Sequence, residues 1–492
     1  MNVLQKAVAG IFRINTEKKN KRAYQSAQNI PYLSNWINSP TNPNVDIKQG
    51  LNSLRARSRE AVQNSSYVRQ FIRLYKSNIV GNDGFVLQSK TTLPSGKSDK
   101  ASRLAIEKAW KKWGEYGSPD VTGTKTWMQI QNEFVQQVLM DGEYIAIEVP
   151  TKRNEFGFQL QVIDPMMLDI SYSDTLKNGR YIKESIEYNS LGRPIAYHFI
   201  VANEETDHYT LHGRHYKRVD AKRVYHCFLS DFVNQRRGVP TVASALLRIG
   251  MLDGYTEAEL VAARVGAATI GVWSDNKEGD SYTGESRDES GDFVSSAAPG
   301  DFIKAPNGAK LDIWDPTHPN SGYSQFTKDL LREISSGVGV GYSGLSNNYS
   351  EANYASMRLE RLTEQDAWKP WQEWMISHFV KRVFTSFLKQ SYALQKIKIG
   401  NVPLKHDIEG YLEHTWQPKR WAHVDPSKEE KANEMALSAR TTSPQKIIRE
   451  RGEDPDDVLD EWEEWFSQLE ERNIKPSEEG FFLEQVNEKP NP

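Results

Sequence analysis

Residues 241–270 contain no proline, and their spacing predicts a single helix about 45 Å long at 1.5 Å per residue. Its second half is crowded with small side chains: Ala258, Ala262, Ala263, Gly266 and Ala267. Small residues let helix backbones approach closely, so this helix is expected to pack against other helices along its length. A second long stretch, 351–390, predicts about 60 Å of helix with an i, i+4 stripe of Trp371, Met375, Phe379, Val383 and Phe387. Pro370 sits inside it and lacks an N–H, which predicts a kink near Asp366 to Trp368.

The chain before residue 238 has a different texture. Leu51, Leu54, Val62, Val68, Phe71, Ile72 and Tyr75 recur near a 3.6 period and predict one helix over 47–76, with Gly81 or Gly84 as its cap. Further helices are expected at 102–116 and 127–140, the latter ending on the Asp141-Gly142 turn. Strand patterns occur at 143–149, 158–163, 181–189, 195–201 and 222–229, so this part reads as α+β. Between the two long helical stretches, a Gly/Ser/acid segment at 275–292 leads to an expected hairpin pairing Phe302–Ala305 with Leu311–Trp314, and then to a helix over 325–337. Helices are also expected at 427–440, 444–451 and 456–472, with Ser443 as an N-cap.

Charge and cysteine content narrow the function classes. The 492 residues carry a net charge of −3, so no global basic excess marks a nucleic-acid binder. The distribution is polar: residues 1–76 hold thirteen Lys/Arg against three acids, and residues 451–492 hold fourteen acids against four bases. Such polarity suggests separate surfaces for separate partners, or basic faces meeting acidic ones between copies. One cysteine, Cys227, excludes an intrachain disulfide framework. The longest apolar run, Val265–Trp273, is half of what a bilayer helix needs, so no membrane span is expected.

The candidate chemistries fail in turn. Gly339–Gly344 matches G-x-G-x-x-G, but a helix precedes it and an Asn-rich loop comes after, the reverse of a dinucleotide fingerprint. The phosphate-binding pattern G-x-x-x-x-G-K-S/T does not occur. His208, His212 and His215 have a spacing that suggests a metal, yet they lack a regular element to aim them. His226 and Cys227 are neighbours on a strand and point to opposite faces, so Cys227 reads as a small buried hydrophobe. No catalytic residue is selected.

The order of the remaining parts carries a resemblance. Arg55-Ala-Arg57-Ser-Arg59, Asn78-Ile-Val80-Gly81, Asp141-Gly142-Glu143 and Gln235-Arg-Arg237-Gly238-Val239-Pro240 are followed by Glu257-Ala-Glu-Leu260-Val-Ala-Ala-Arg264, Tyr349–Arg358 and Trp421–Pro426. In this order, over some 400 residues, the chain resembles the phage portal proteins of the lambda family. The resemblance implies an α+β portal fold. Residues 1–40 would form a loosely ordered basic arm, 41–237 a wing, 238–271 and 322–343 two stem helices, and 272–321 a small clip. Residues 344–352 would form a tunnel loop, 353–426 a long kinked wing helix and return segment, and 427–492 a helical crown with an acidic tail.

The function implied is a ring of usually twelve copies at one capsid vertex. Double-stranded DNA is packaged and ejected through it, with a large terminase subunit, a head–tail adaptor, the major capsid protein and scaffold as partners. It implies no enzyme activity, cofactor, metal or membrane, and a place in the virion after assembly in the host cytoplasm. Leu345, Ser346, Asn347, Asn348, Tyr349, Ser350 and Glu351 are then expected to face the DNA channel. Ala258, Ala262, Ala263, Gly266 and Ala267 are expected to pack between subunits, and Phe302, Lys304, Asn307, Lys310 and Trp314 to face terminase or adaptor. Two other readings are a different connector or capsid protein, and a metal-dependent nucleic-acid-processing enzyme built on His208, His212 and His215.

Overall fold

The structure is a computed structural model that describes residues 40–92, 99–201, 215–267, 271–274, 310–313, 322–404, 408–421, 426–451, 453 and 455–472. The chain divides into Met1–Asp46 and Ile47–Pro492. Of the first unit only residues 40–46 are described. The second unit carries the helices and antiparallel sheets that make this an α+β protein.

The expected helix over 47–76 is two helices, α1 (Pro43–Asn64) and α2 (Ser66–Ile79). Ser65 interrupts them with an extended backbone, φ −92° and ψ 122°. The run Asn64-Ser65-Ser66 supplies short polar side chains that compete with helical hydrogen bonds, which explains the break. α2 buries Val68, Phe71, Ile72, Tyr75 and Ile79 on one face, and Gly81, at φ +74°, donates back to the Lys76 carbonyl. α3 (Lys100–Trp113) starts on Asp99, which caps the Ser102 N–H. α4 (Trp127–Asp141) starts on a reciprocal Thr126–Gln129 capping box and ends at Gly142, φ +85°.

The strand Glu143–Pro150 is central in a three-stranded antiparallel sheet between Phe158–Ile163 and Val224–Phe228. A second sheet of five strands runs in sequence order from Asp174–Thr175 to Tyr216–Asp220. The strand expected over 181–189 is split into Tyr181–Lys183 and Ile186–Tyr188, because Glu184 and Ser185 both take positive φ. Tyr216–Asp220 is a sheet-edge strand whose exposed polar pattern concealed it in the sequence.

The 3-10 turn Thr241–Ser244 leads into α5 (Leu246–Ala267), so the expected helix over 241–270 begins a turn late, and 268–270 lie outside the described residues. α5 runs antiparallel to α6 (Tyr323–Val338). Ser244 Oγ donates to the Gly337 carbonyl at 2.9 Å, Arg248 pairs with Glu333 at 2.7 Å, and Tyr255 stacks on Tyr323 at 5.6 Å. At the far end of the pair Gly271–Ser274 is bonded antiparallel to Lys310–Ile313. The hairpin partner expected at 302–305 lies outside the described residues.

After the short α7 (Tyr342–Ser346) comes α8 (Tyr354–Met375), a π-helical turn Ile376–Val380, and α9 (Lys381–Ala393). α8 continues through Pro370, and the departure from α geometry falls further on, at the π turn. The apolar stripe accounts for it. A strict four-residue repeat drifts around a 3.6-residue helix, and a π turn absorbs the extra residue. Met375, Phe379, Val383 and Phe387 all stay fully buried as a result. Phe379 stacks on Phe134 at 4.9 Å and Phe387 meets Trp110 at 5.2 Å, which joins this helix to α4 and α3 in the main core. The chain closes with α10 (Pro426–Ser438), α11 (Pro444–Arg451) and α12 (Pro455–Glu471). Ser443 caps the Lys446 N–H at 3.3 Å, as its position predicts.

Candidate functional site

Residues 338–351 connect α6 to the long helix and are held against α2. Gly339 ends α6 at φ +73°, the helix exit expected of this glycine-rich segment. Tyr75 Oη donates to the Val338 carbonyl at 3.2 Å and Gln70 Nε2 to the Gly344 carbonyl at 3.1 Å. Two carboxylates of α8 receive the open amides of α7: Glu364 accepts from Gly341 N–H at 2.7 Å and Glu360 from Ser343 N–H at 3.1 Å. A Cβ on Gly341 would lie 2.0 Å from the Glu360 carboxylate, so any larger residue there would displace that side chain from its contact with the Ser343 N–H. Burial pushes the Glu364 carboxyl above its ordinary range, opposed by the Gly341 N–H.

The seven residues expected to face a channel divide into distinct groups. Leu345 does not face solvent: it is 2% exposed and belongs to the main core, because α7 turns it onto α2. Ser346 Oγ donates to the Tyr342 carbonyl at 2.7 Å, Asn348 Nδ2 to Tyr342 Oη at 3.3 Å, and Ser350 Oγ to Asn348 Oδ1 at 2.7 Å. Glu351 pairs with Lys328 at 2.5 Å and Arg332 at 3.4 Å, and Lys328 holds its carboxyl below the usual range. Asn347, at φ +52°, Tyr349, Ser350 and Glu351 are the exposed residues of the turn.

Of the small residues expected to pack between subunits, Ala258 and Ala263 are exposed on α5 and Ala262 is half-buried. Gly266 and Ala267 lie in the last turn of the same helix. Lys310 opens a paired strand, whereas Phe302, Lys304, Asn307 and Trp314 lie outside the described residues. So do His208 and His212; among the described residues no group of three His, Cys, Asp or Glu is placed to hold a metal. Cys227 is buried in the main core, and burial pushes its thiol up to about 12.

A buried ionic cluster joins five separate segments that the residue pattern alone did not bring together. Glu143, at the first position of the central strand, receives Arg237 at 2.6 Å, Arg55 at 2.7 Å and His226 at 3.0 Å. The Gly238 N–H adds a contact at 3.1 Å. Around it, Arg59 bridges Asp141 and Asp164, both at 2.7 Å, and Arg55 Nε reaches the Asp141 carbonyl at 2.8 Å. Burial alone would raise the Glu143 carboxyl, but Arg237 and Arg55 hold it well below the carboxylate range. A Cβ on Gly238 would meet the Gly142 carbonyl oxygen at 2.0 Å, so backbone touches backbone here. The signal available in the sequence was the set of short motifs Arg55–Arg59, Asp141–Glu143 and Gln235–Pro240, whose members prove to be neighbours. The cluster balances as a whole, Arg55, Arg59 and Arg237 against Asp141, Glu143 and Asp164, and its centre at Glu143, Arg55 and Arg237 is sealed from water.

Residues 31–372 match the family described as "Phage portal protein, lambda family". A probable portal protein of Halomonas phage phiHAP-1 is 27% identical over 446 residues, covering 89% of this chain and 85% of the relative. Portal protein B of Escherichia phage lambda is 23% identical, covering 87% and 86%. Among solved structures, a chain from the neck of an empty GTA particle is similar with a TM-score of 0.46 at 12% identity, covering 83% of this chain and 94% of that one.

Proposed function

The chain belongs to the lambda family of phage portal proteins, and from this premise we propose that copies of it close into a ring, of twelve in the usual case, around a bore wide enough for double-stranded DNA. The ring stands at one vertex of the capsid, within the virion, after assembly in the host cytoplasm. Genome DNA enters through it during packaging and leaves through it at ejection. The observation that carries this is the antiparallel pair α5–α6, with a separate paired strand segment at one end and the 338–351 turn at the other. α5 and α6 act as the stem, 272–321 as the clip, 344–352 as the tunnel loop, 353–426 as the long wing helix with its return, and 427–492 as the crown. Ala258, Ala262 and Ala263 give the stem the small side chains that close approach of a neighbouring copy requires.

The chain is a conduit and not a motor. It lacks the phosphate-binding loop of an ATPase, so a terminase subunit docking on the clip supplies the work, and an adaptor replaces it there later. Major capsid protein and scaffold meet the ring during head assembly. Particle imaging of the purified protein tests the reading directly: an annulus with a central hole is expected, and a monomer that never closes at any concentration overturns it. Deleting residues 346–350 is expected to leave rings intact and to shorten the retained DNA; unchanged DNA length removes the loop from the function. Removing residues 1–40 is expected to block incorporation into heads.

A further inference from the structure

α2 carries a row of cations on the side away from the core. Arg69, Arg73 and Lys76 rise along the helix by about 6 and 4.5 Å at 1.5 Å per residue. They line a groove of about 520 Å³ between α2 and α4. Ser77, Asn82, Asn132 and Gln136 supply the rest of its polar wall, and no carboxylate lines it. Arg69 and Arg73 are exposed. Neither forms an ion pair among the described residues; Arg73 has only a 3.3 Å contact with the Gln70 amide. Lys76 is half-buried, with its Nζ 3.0 Å from Gln136 Oε1. Glu133 on α4 is paired with Lys125 at 2.6 Å and also attracts the Lys76 ammonium without a direct contact.

We propose that this groove binds the phosphodiester backbone of double-stranded DNA. Two exposed guanidinium groups without an acidic partner among the described residues, with the Lys76 ammonium and neutral amide donors beside them, form a phosphate-recognition surface: cations supply the attraction, and amides supply hydrogen bonds without sequence preference. The choice of DNA over an acidic protein rests on the portal reading above. The site differs from the polar turn at 346–350, whose hydroxyl and amide groups are largely bonded to each other. Three cations per copy grip, whereas a bore must let DNA pass, so the groove holds DNA that is at rest against the protein.

The test is binding of a fluorescent random-sequence duplex to the full chain across a salt series, comparing wild type with R69Q/R73Q/K76Q. A second variant, R69Q/R73Q, changes only exposed side chains. The control K177Q/K183Q/K222Q removes equal charge from the five-stranded sheet region. The triple variant is expected to bind at least about tenfold more weakly, with a log–log salt slope reduced by about 2–3, since each phosphate contact contributes about 0.9. The double variant is expected to lose part of both, and the control neither. Equal losses in control and variant, or unchanged binding in the double variant, overturn the proposal. So does a loss confined to binding of poly-glutamate, which assigns the groove to an acidic protein. Imaging the same wild-type sample keeps the two ideas apart: absent rings end the portal reading, whereas intact rings with unaltered variant binding end this one.

Discussion

Glu143 and Arg237 meet with both side chains wholly excluded from water, Arg237 Nη2 lying 2.6 Å from Glu143 Oε1. Glu143 opens the central strand, and Arg237 stands just ahead of the 3-10 turn that feeds α5. The pair therefore fixes the point at which the chain leaves the sheet region for the helical pair, and Arg55 from α1 locks the same carboxylate.

Glu143→Gln is expected to cost about 3–5 kcal/mol, because it leaves two buried guanidinium groups facing a neutral amide. Urea unfolding checks this: the midpoint should fall with the slope unchanged. A loss below about 1 kcal/mol would mean that the cluster is not a structural lock.

The same carboxylate sets an acid limit. Its folded-state pKa is depressed well below the ordinary value, so its contribution is fully present above the unfolded pKa of about 4.3 and is lost as pH falls through the folded one. The stability gap between wild type and Glu143→Gln should narrow as pH falls below about 4.3. A gap that widens below that pH contradicts the assignment.

Gly238→Ala places a methyl group 2.0 Å from the Gly142 carbonyl oxygen, where backbone opposes it and no flexible side chain can yield. A loss of at least about 1–3 kcal/mol is expected, read as a lowered melting temperature. Gly250→Ala serves as the comparison: no atom lies within 4 Å of its added Cβ, and a helix former replaces glycine inside α5, so stability should hold or rise.

Glu364→Ala removes the acceptor of the Gly341 N–H at the start of α7. Hydrogen bonds to a charged group are worth about 1.5–3 kcal/mol, so amide exchange across 341–345 should speed up by about tenfold or more. Exchange in α2 should remain as it was. No change in α7 would show that Glu360 suffices to hold the turn.

Much of the helical framework was legible because it is written locally. The buried positions of α2 recur at helical spacing, Gly142 and Gly339 stand where a left-handed exit is required, and Ser443 sits at its cap. The break at Ser65 and the positive φ angles of Glu184 and Ser185 were not, since neither uses proline or glycine. Pro370 drew attention away from the π turn, which arises from the phase of the apolar stripe and not from any breaker residue. Leu345 was misplaced because a polar, Asn-rich neighbourhood conceals a short helix that seats on α2. The Arg55–Glu143–Arg237 cluster was legible only as three separate motifs: its members lie far apart in the chain, and only the fold makes them neighbours.

Ser274 and Lys310 are register partners across one antiparallel ladder. The two chain ends that flank the intervening stretch are therefore held side by side by the ladder itself, and this anchorage is made by residues 271–274 and 310–313 alone.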